Sequence, residues 1–202
     1  MIKKETNRQL KGKSTKKKIF TVAKELIVSK GYNNVTVDEI CEKCEISKGT
    51  FYIYYKSKED IVRKLYRDDM SEYMEENFGK YIQENKDASP VDKLKTFIMV
   101  ALGFPITVGE ELTRLTFVVY LSLNSTETSF FSDCIKQELL FEAIDEGRAQ
   151  SIFREDMSTE EIVNYVYSFL TGSCMTWCLS DSNYDIGKMN EIYVDALIKG
   201  LQ

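Results

Sequence analysis

Lys48, Gly49, Thr50, Tyr52 and Tyr54 fall within seven consecutive residues, directly behind Ser47. An ammonium, three hydroxyls and a residue without a side chain are tools of recognition rather than turnover. Lys can donate to guanine O6 and N7, and Thr can hydrogen-bond a base edge or touch a thymine methyl. Tyr can donate its hydroxyl to a phosphate oxygen while its ring packs on the protein, and Gly49 lets a helix backbone approach a partner closely. No general base accompanies them, because the chain has no His. It also lacks Glu-x-x-His pairs, a Gly-rich phosphate loop and a Gly-x-Ser-x-Gly elbow. An enzyme is therefore not expected, nor is a cofactor or a metal.

These residues need a scaffold, and the flanking sequence supplies one. Thr36 followed by Glu39 is a capping-box pattern, so a helix should start there, with Val37, Ile40, Cys41 and Cys44 at helical spacing. Ser47 offers a second N-cap after room for only a turn, and Ser57 with Asp60 a third. Two short helices joined by a tight turn make a helix-turn-helix, whose second helix enters the major groove of DNA. Lys48 and Thr50 are then the best candidates to meet base edges, with Ser47 beside them at the helix start. Thr36 and Lys58, at helix N-termini, would face phosphate. Phe51 and Tyr55 are expected to pack inside the domain.

The charge distribution agrees. The whole chain of 202 residues carries −5, yet residues 1–67 hold 17 Lys and Arg against eight Asp and Glu, a net of +9, leaving −14 for the rest. A basic head on an acidic body suits a molecule that meets phosphate at one end. Lys11, Lys13, Lys16, Lys17 and Lys18 add salt-sensitive, nonspecific attraction. Five Cys, an odd number without an export signal, read as free thiols of a reducing compartment, so the cytoplasm is the expected location. Cys41-x2-Cys44 and Cys174-x3-Cys178 could be halves of a zinc site, but small buried Cys on an apolar helix face is the simpler reading.

Hydrophobic residues make up 43% of the chain, enough for a substantial core, and no apolar run reaches the length of a membrane span. Strand alternation is absent. The expected fold is all-α with about nine helices. Residues 1–15 form a basic flexible arm, 16–60 a three-helix DNA-binding domain and 61–202 a larger helical domain. Lys16–Lys30 reads as the first helix, closed by Gly31 in a left-handed conformation. The helix behind Ser57 keeps its apolar stripe as far as Met74. Further helices are read at Val91–Leu102, stopping at Gly103-Phe104-Pro105, then Glu110–Leu123, Phe130–Gly147, from Ser158 through Trp177, and Ile186–Leu201.

Over residues 16–67 this order resembles the tetracycline-repressor (TetR) family of bacterial transcription regulators. Ser47, Lys48, Gly49, Thr50, Phe51, Tyr52, Tyr54, Tyr55, Lys58 and Glu59 each match the family pattern as they stand. Glu45 departs from it, standing in the turn where the family usually has Gly, and Cys41 and Cys44 replace small Ala-like residues. The resemblance implies a homodimer joined by its last two helices, bound to a near-palindromic operator, with a small-molecule pocket in the body.

For the dimer, the stripes Ile162, Val166, Phe169, Ser173, Trp177 and Met189, Ile192, Tyr193, Ala196, Leu197 are expected to pair across a two-fold axis. Phe97, Phe117, Tyr120, Tyr165 and Phe169, with Arg114 as polar anchor, are the candidate lining for a hydrophobic or planar effector. The function expected is a repressor released from its operator by such a ligand. The rival is an activator or architectural protein of the same fold without an effector.

Overall fold

A computed structural model of the protein describes residues 7–122, 137–180 and 185–202. Among these there is no strand, and the helices fall into two compact units, residues 1–65 and 66–202. No helix of the described residues is long and apolar enough to cross a membrane.

The first unit holds α1 (Asn7–Lys30), a short 3-10 turn, α2 (Val37–Cys44), α3 (Lys48–Tyr54) and the start of α4 (Lys58–Met74). α1 begins well before Lys16, so residues 7–15, expected in a flexible arm, are helical. Gly31 closes it with φ 77° and ψ 146°, a positive φ suited to Gly, though extended in ψ rather than left-handed helical. Ile19, Ala23, Leu26, Val35, Ile40, Phe51, Tyr55, Ile61 and Val62 fill the core, with Cys41 and Cys44 buried beside them. The smallness of the thiols lets α2 pack closely there.

In the second unit α4 continues without a break into one π turn at Glu75–Gly79, where Lys80 N–H reaches back to Glu75 O, and then into α5 (Lys80–Glu84). Counting that rod once, the described helices number nine. α6 (Pro90–Val108) is the central element and packs against α7 (Glu110–Ser122), α8 (Gln137–Ala149), α9 (Thr159–Leu179) and α10 (Ile186–Leu201). Ser89 caps α6 with Pro90 in its first turn, and Ser158 with Glu161 closes a full capping box on α9.

α6 does not stop at Gly103. It runs through Pro105 to Val108, because Phe104 and Pro105 are buried and the Phe104 ring meets Tyr66 edge-on at 4.9 Å. That packing offsets the single backbone hydrogen bond that Pro105 cannot donate. The expected helix start at Phe130 and the stretch after Leu123, with Phe131 and Cys134, lie outside the described residues.

Candidate nucleic-acid interface

Three serine and threonine caps position the reading helix. Thr36 Oγ1 accepts from Glu39 N–H at 3.2 Å, and Ser47 Oγ accepts from Thr50 N–H at 3.1 Å. Ser57 Oγ accepts from Asp60 N–H at 3.2 Å. The reciprocal half of the box at Thr36 is missing, because the Glu39 carboxylate turns to Lys30. Between α2 and α3 the chain reverses at Glu45, φ 54° and ψ 43°, so a glutamate occupies the left-handed conformation that glycine adopts more cheaply. Its N–H closes the turn on Glu42 O at 3.0 Å, and Ile46 N–H on Cys41 O at 3.0 Å.

α3 divides cleanly into two faces. Phe51 is fully buried and Tyr55, just past the helix, is buried with its hydroxyl donating to Lys16 O at 3.4 Å. The opposite face presents Lys48, Gly49, Tyr52 and Ile53 to solvent. Tyr52 is 54% exposed, with its ring edge-on to Phe51 at 5.3 Å, so the ring packs while the hydroxyl is free to reach outward. Gly49 meets only Ser47 Oγ, 3.7 Å from where a Cβ would be, so nothing inside the protein requires glycine there. Its missing side chain leaves the outer surface of the helix open. Ile53, 76% exposed, was missed by sequence reasoning. Its offset of four and five residues from Gly49 and Lys48 would have placed it on this face.

Four of the expected contact residues are engaged within the protein. The Lys48 ammonium lies 2.7 Å from Asp38, whose hydrogen bond and charge hold it above the ordinary lysine range. Thr50 is half-buried, its hydroxyl 2.9 Å from Ser47 Oγ. Tyr54 is half-buried, its hydroxyl close to Gly12 of α1. Lys58 departs furthest from expectation. Its ammonium donates to Tyr32 O at 2.7 Å and Val35 O at 2.8 Å, and burial lowers its pKa. The side chain is therefore a structural tie, and only its backbone position at the start of α4 suits a phosphate.

This arrangement matches the model of bacterial regulatory proteins of the tetR family over residues 19–65. The chain belongs to the TetR family. Relatives agree with the assignment. This TetR-family regulator is 39% identical over 61 residues to the transcriptional regulator QacR of Staphylococcus aureus, a match spanning 30% of this chain and 32% of that protein. It is 22% identical over 188 residues to the fatty acid metabolism regulator protein of Bacillus subtilis, covering 91% of this chain and 93% of that one. Thermus thermophilus FadR, a TetR-family repressor solved with lauroyl-CoA, superposes with a TM-score of 0.76 at 22% identity, over 93% of this chain and 95% of that one. At that identity the likeness establishes the fold of the body. The matched proteins are transcription regulators, and the chain is a DNA-binding transcription regulator.

In the body the expected effector residues separate. Phe97 and Phe117 are buried, Phe97 edge-on to Phe78 at 5.3 Å, and Tyr120 is half-buried. Tyr165 points to solvent, 46% exposed, and so does not join them. Arg114 is committed to Cys178 O, at 2.7 and 3.2 Å, and to Glu110, tying α7 to the end of α9. An open groove of about 400 Å³ lies beside α6, between Tyr73 and Tyr81 on one side and Met99 and Val100 on the other.

The expected dimer stripe also resolves into two. Ile162, Val166, Ser173 and Leu197 face the unit's own core. Trp177 and Met189 are half-buried. Ile192, Tyr193 and Ala196 are exposed, together with Tyr165, Gly172, Thr176 and Leu179 of α9. Phe169 and Tyr193 border an open groove of about 330 Å³ on this face. Helical spacing alone could not separate the stripes, because α9 is apolar on both sides. Cys174 and Cys178 are buried here, and burial pushes the Cys174 thiol up to about 12. Among the described residues no three His, Cys, Asp or Glu side chains converge as a metal site.

Proposed function

We propose that the protein is a homodimeric repressor whose operator complex is released by a long-chain fatty acyl thioester of coenzyme A. The observation that carries this reading is the full-length likeness to fatty-acid regulators. The Bacillus subtilis relative regulates fatty acid metabolism by name, and the FadR structures from Bacillus subtilis and Thermus thermophilus hold stearoyl-CoA and lauroyl-CoA. The apolar body, rich in Phe and Tyr, supports an acyl chain over a sugar or an ion.

Ser47, Lys48, Gly49, Thr50, Tyr52, Tyr54 and Ile53 supply the reading surface, and the backbone N-termini at Thr36 and Lys58 supply phosphate contacts. Two such heads engage half-sites in successive major grooves, about 34–36 Å apart. The dimer forms through the exposed face of α9 and α10, where Tyr165, Phe169, Leu179, Ile192 and Tyr193 present apolar surface that a monomer leaves in water. Effector binding favours a body conformation with weaker operator affinity, by a coupling of about 1–3 kcal/mol.

The test is a fluorescence-anisotropy titration against the intergenic duplex upstream of the protein's own gene, with palmitoyl-CoA, free coenzyme A and palmitate compared. Tight binding by two protomers, lost with palmitoyl-CoA alone, supports the reading. Release by none of the three removes the acyl thioester from it.

A further inference from the structure

Half of the eight acidic residues in positions 1–67 lie within residues 38–45, on α2 or its C-cap, beside the helix that reads DNA. Asp38, Glu42 and Glu45, at i, i+4 and i+7, form one exposed face, opposite the buried Ile40, Cys41 and Cys44. Two of the three hold cations. Asp38 lies 2.7 Å from the Lys48 ammonium on α3, and Glu45 lies 3.6 Å from that of Lys18 on α1. All four side chains are largely exposed, so these pairs add little to folding stability. Glu45 even occupies a left-handed conformation in which glycine would be less strained. The N-terminus of α2 favours a carboxylate at Asp38, but neither stability nor turn geometry accounts for the one at Glu45.

We propose that α2 carries the counter-ions of its own DNA-facing surface: Asp38 and Glu45 hold Lys48 and Lys18 in ion pairs that any phosphate must displace, which suppresses indiscriminate DNA binding relative to binding at a selected sequence. Attraction to random duplex is almost wholly phosphate attraction. A lysine that must leave a carboxylate gains less from a phosphate than a free one. At a selected site base-edge contacts by Lys48 and its neighbours make up the difference, and random DNA offers no such compensation. The inference rests on the DNA-binding reading of α3. It assigns to Asp38 and Glu45 a part in specificity without requiring that either touch DNA.

The experiment uses the full-length protein, a random-sequence 30-base-pair duplex, and the tightest duplex selected by the wild type from a random library. Asp38→Asn and Glu45→Gln are compared with Glu42→Gln, which removes the same charge from the same face where no ion pair is formed among the described residues, and thermal melts confirm folding. Asp38→Asn and Glu45→Gln should each raise affinity for the random duplex about fivefold at low salt and lower the selected-to-random ratio. Glu42→Gln should do clearly less. In a Lys48→Ala background the effect of Asp38→Asn should fall to that of Glu42→Gln, as should that of Glu45→Gln in Lys18→Ala. Equal effects from all three acids, or persistence in the lysine-less backgrounds, would reduce the phenomenon to net charge and overturn the proposal. A wild type that binds neither duplex at low salt would instead remove the DNA-binding reading beneath it.

Discussion

The ammonium of Lys58 sits 3.9 Å from the centroid of the Tyr32 ring while donating to the carbonyls of Tyr32 and Val35. One side chain thus satisfies two backbone acceptors at the entry to α2 and stacks on an aromatic face. Tyr32 in turn donates its hydroxyl to Glu59 at 2.6 Å, so neighbouring residues of α4 clamp the same ring. Lys58→Ala should therefore cost about 2–3 kcal/mol of stability, read as a lower urea midpoint. A phosphate-only role would weaken DNA binding and leave the midpoint where it was.

The two stripes on α9 and α10 predict separable defects. Ile192→Asp, on the exposed face, should shift the particle toward monomer in sedimentation at micromolar concentration with secondary structure retained. Leu197→Ala, in the core, should cost about 2–4 kcal/mol of stability. A variant Ile192→Asp that sediments as wild type would count against the proposed dimer face.

Gly147 has no room for a side chain. A Cβ there would lie 2.3 Å from the Phe153 ring and 3.1 Å from Pro90. Gly147→Ala should destabilise the body by about 1–3 kcal/mol despite its better helix propensity. A Phe153→Leu second change should recover part of that loss in thermal melts.

Asp60 gives the first unit an acid-sensitive joint. Burial alone would raise its pKa, but the Lys56 N–H at 2.9 Å, Lys64 at 3.0 Å and Arg63 at 3.1 Å hold it below the ordinary aspartate value. With the folded pKa depressed, the contribution to stability is present above about pH 4 and is lost as pH falls through the folded value. Asp60→Asn should flatten the stability profile in that window, and an unchanged slope in urea melts from pH 5 to 2.5 would count against it.

Much of the head was legible because caps act locally. Thr36, Ser47 and Ser57 each hydrogen-bond an amide three residues on, so short-range sequence carried the helix starts. The strain at Glu45 was legible too, from where a glycine would be expected. The structural tie made by the Lys58 side chain was not legible, because nothing nearby in sequence announces the Tyr32 and Val35 carbonyls, 26 and 23 residues away. Pro105 was read as a stop because local rules cannot weigh Phe104 packing on Tyr66. The core stripe on α9 hid the outer one for the same reason: periodicity reports that a face is apolar and not what covers it.

The π turn at Glu75–Gly79 acts as a phase offset in the rod formed by α4 and α5. In an unbroken α-helix, Tyr73 and Tyr81 would stand about 80° apart around the axis. One inserted residue makes eight positions do the angular work of seven, leaving about 20°. Both tyrosines thereby come to line the groove beside Met99 and Val100. Removing a single residue from the turn would keep every helix and still swing Tyr81 off that wall, so the shape of the groove is encoded in a count of residues as much as in their kinds.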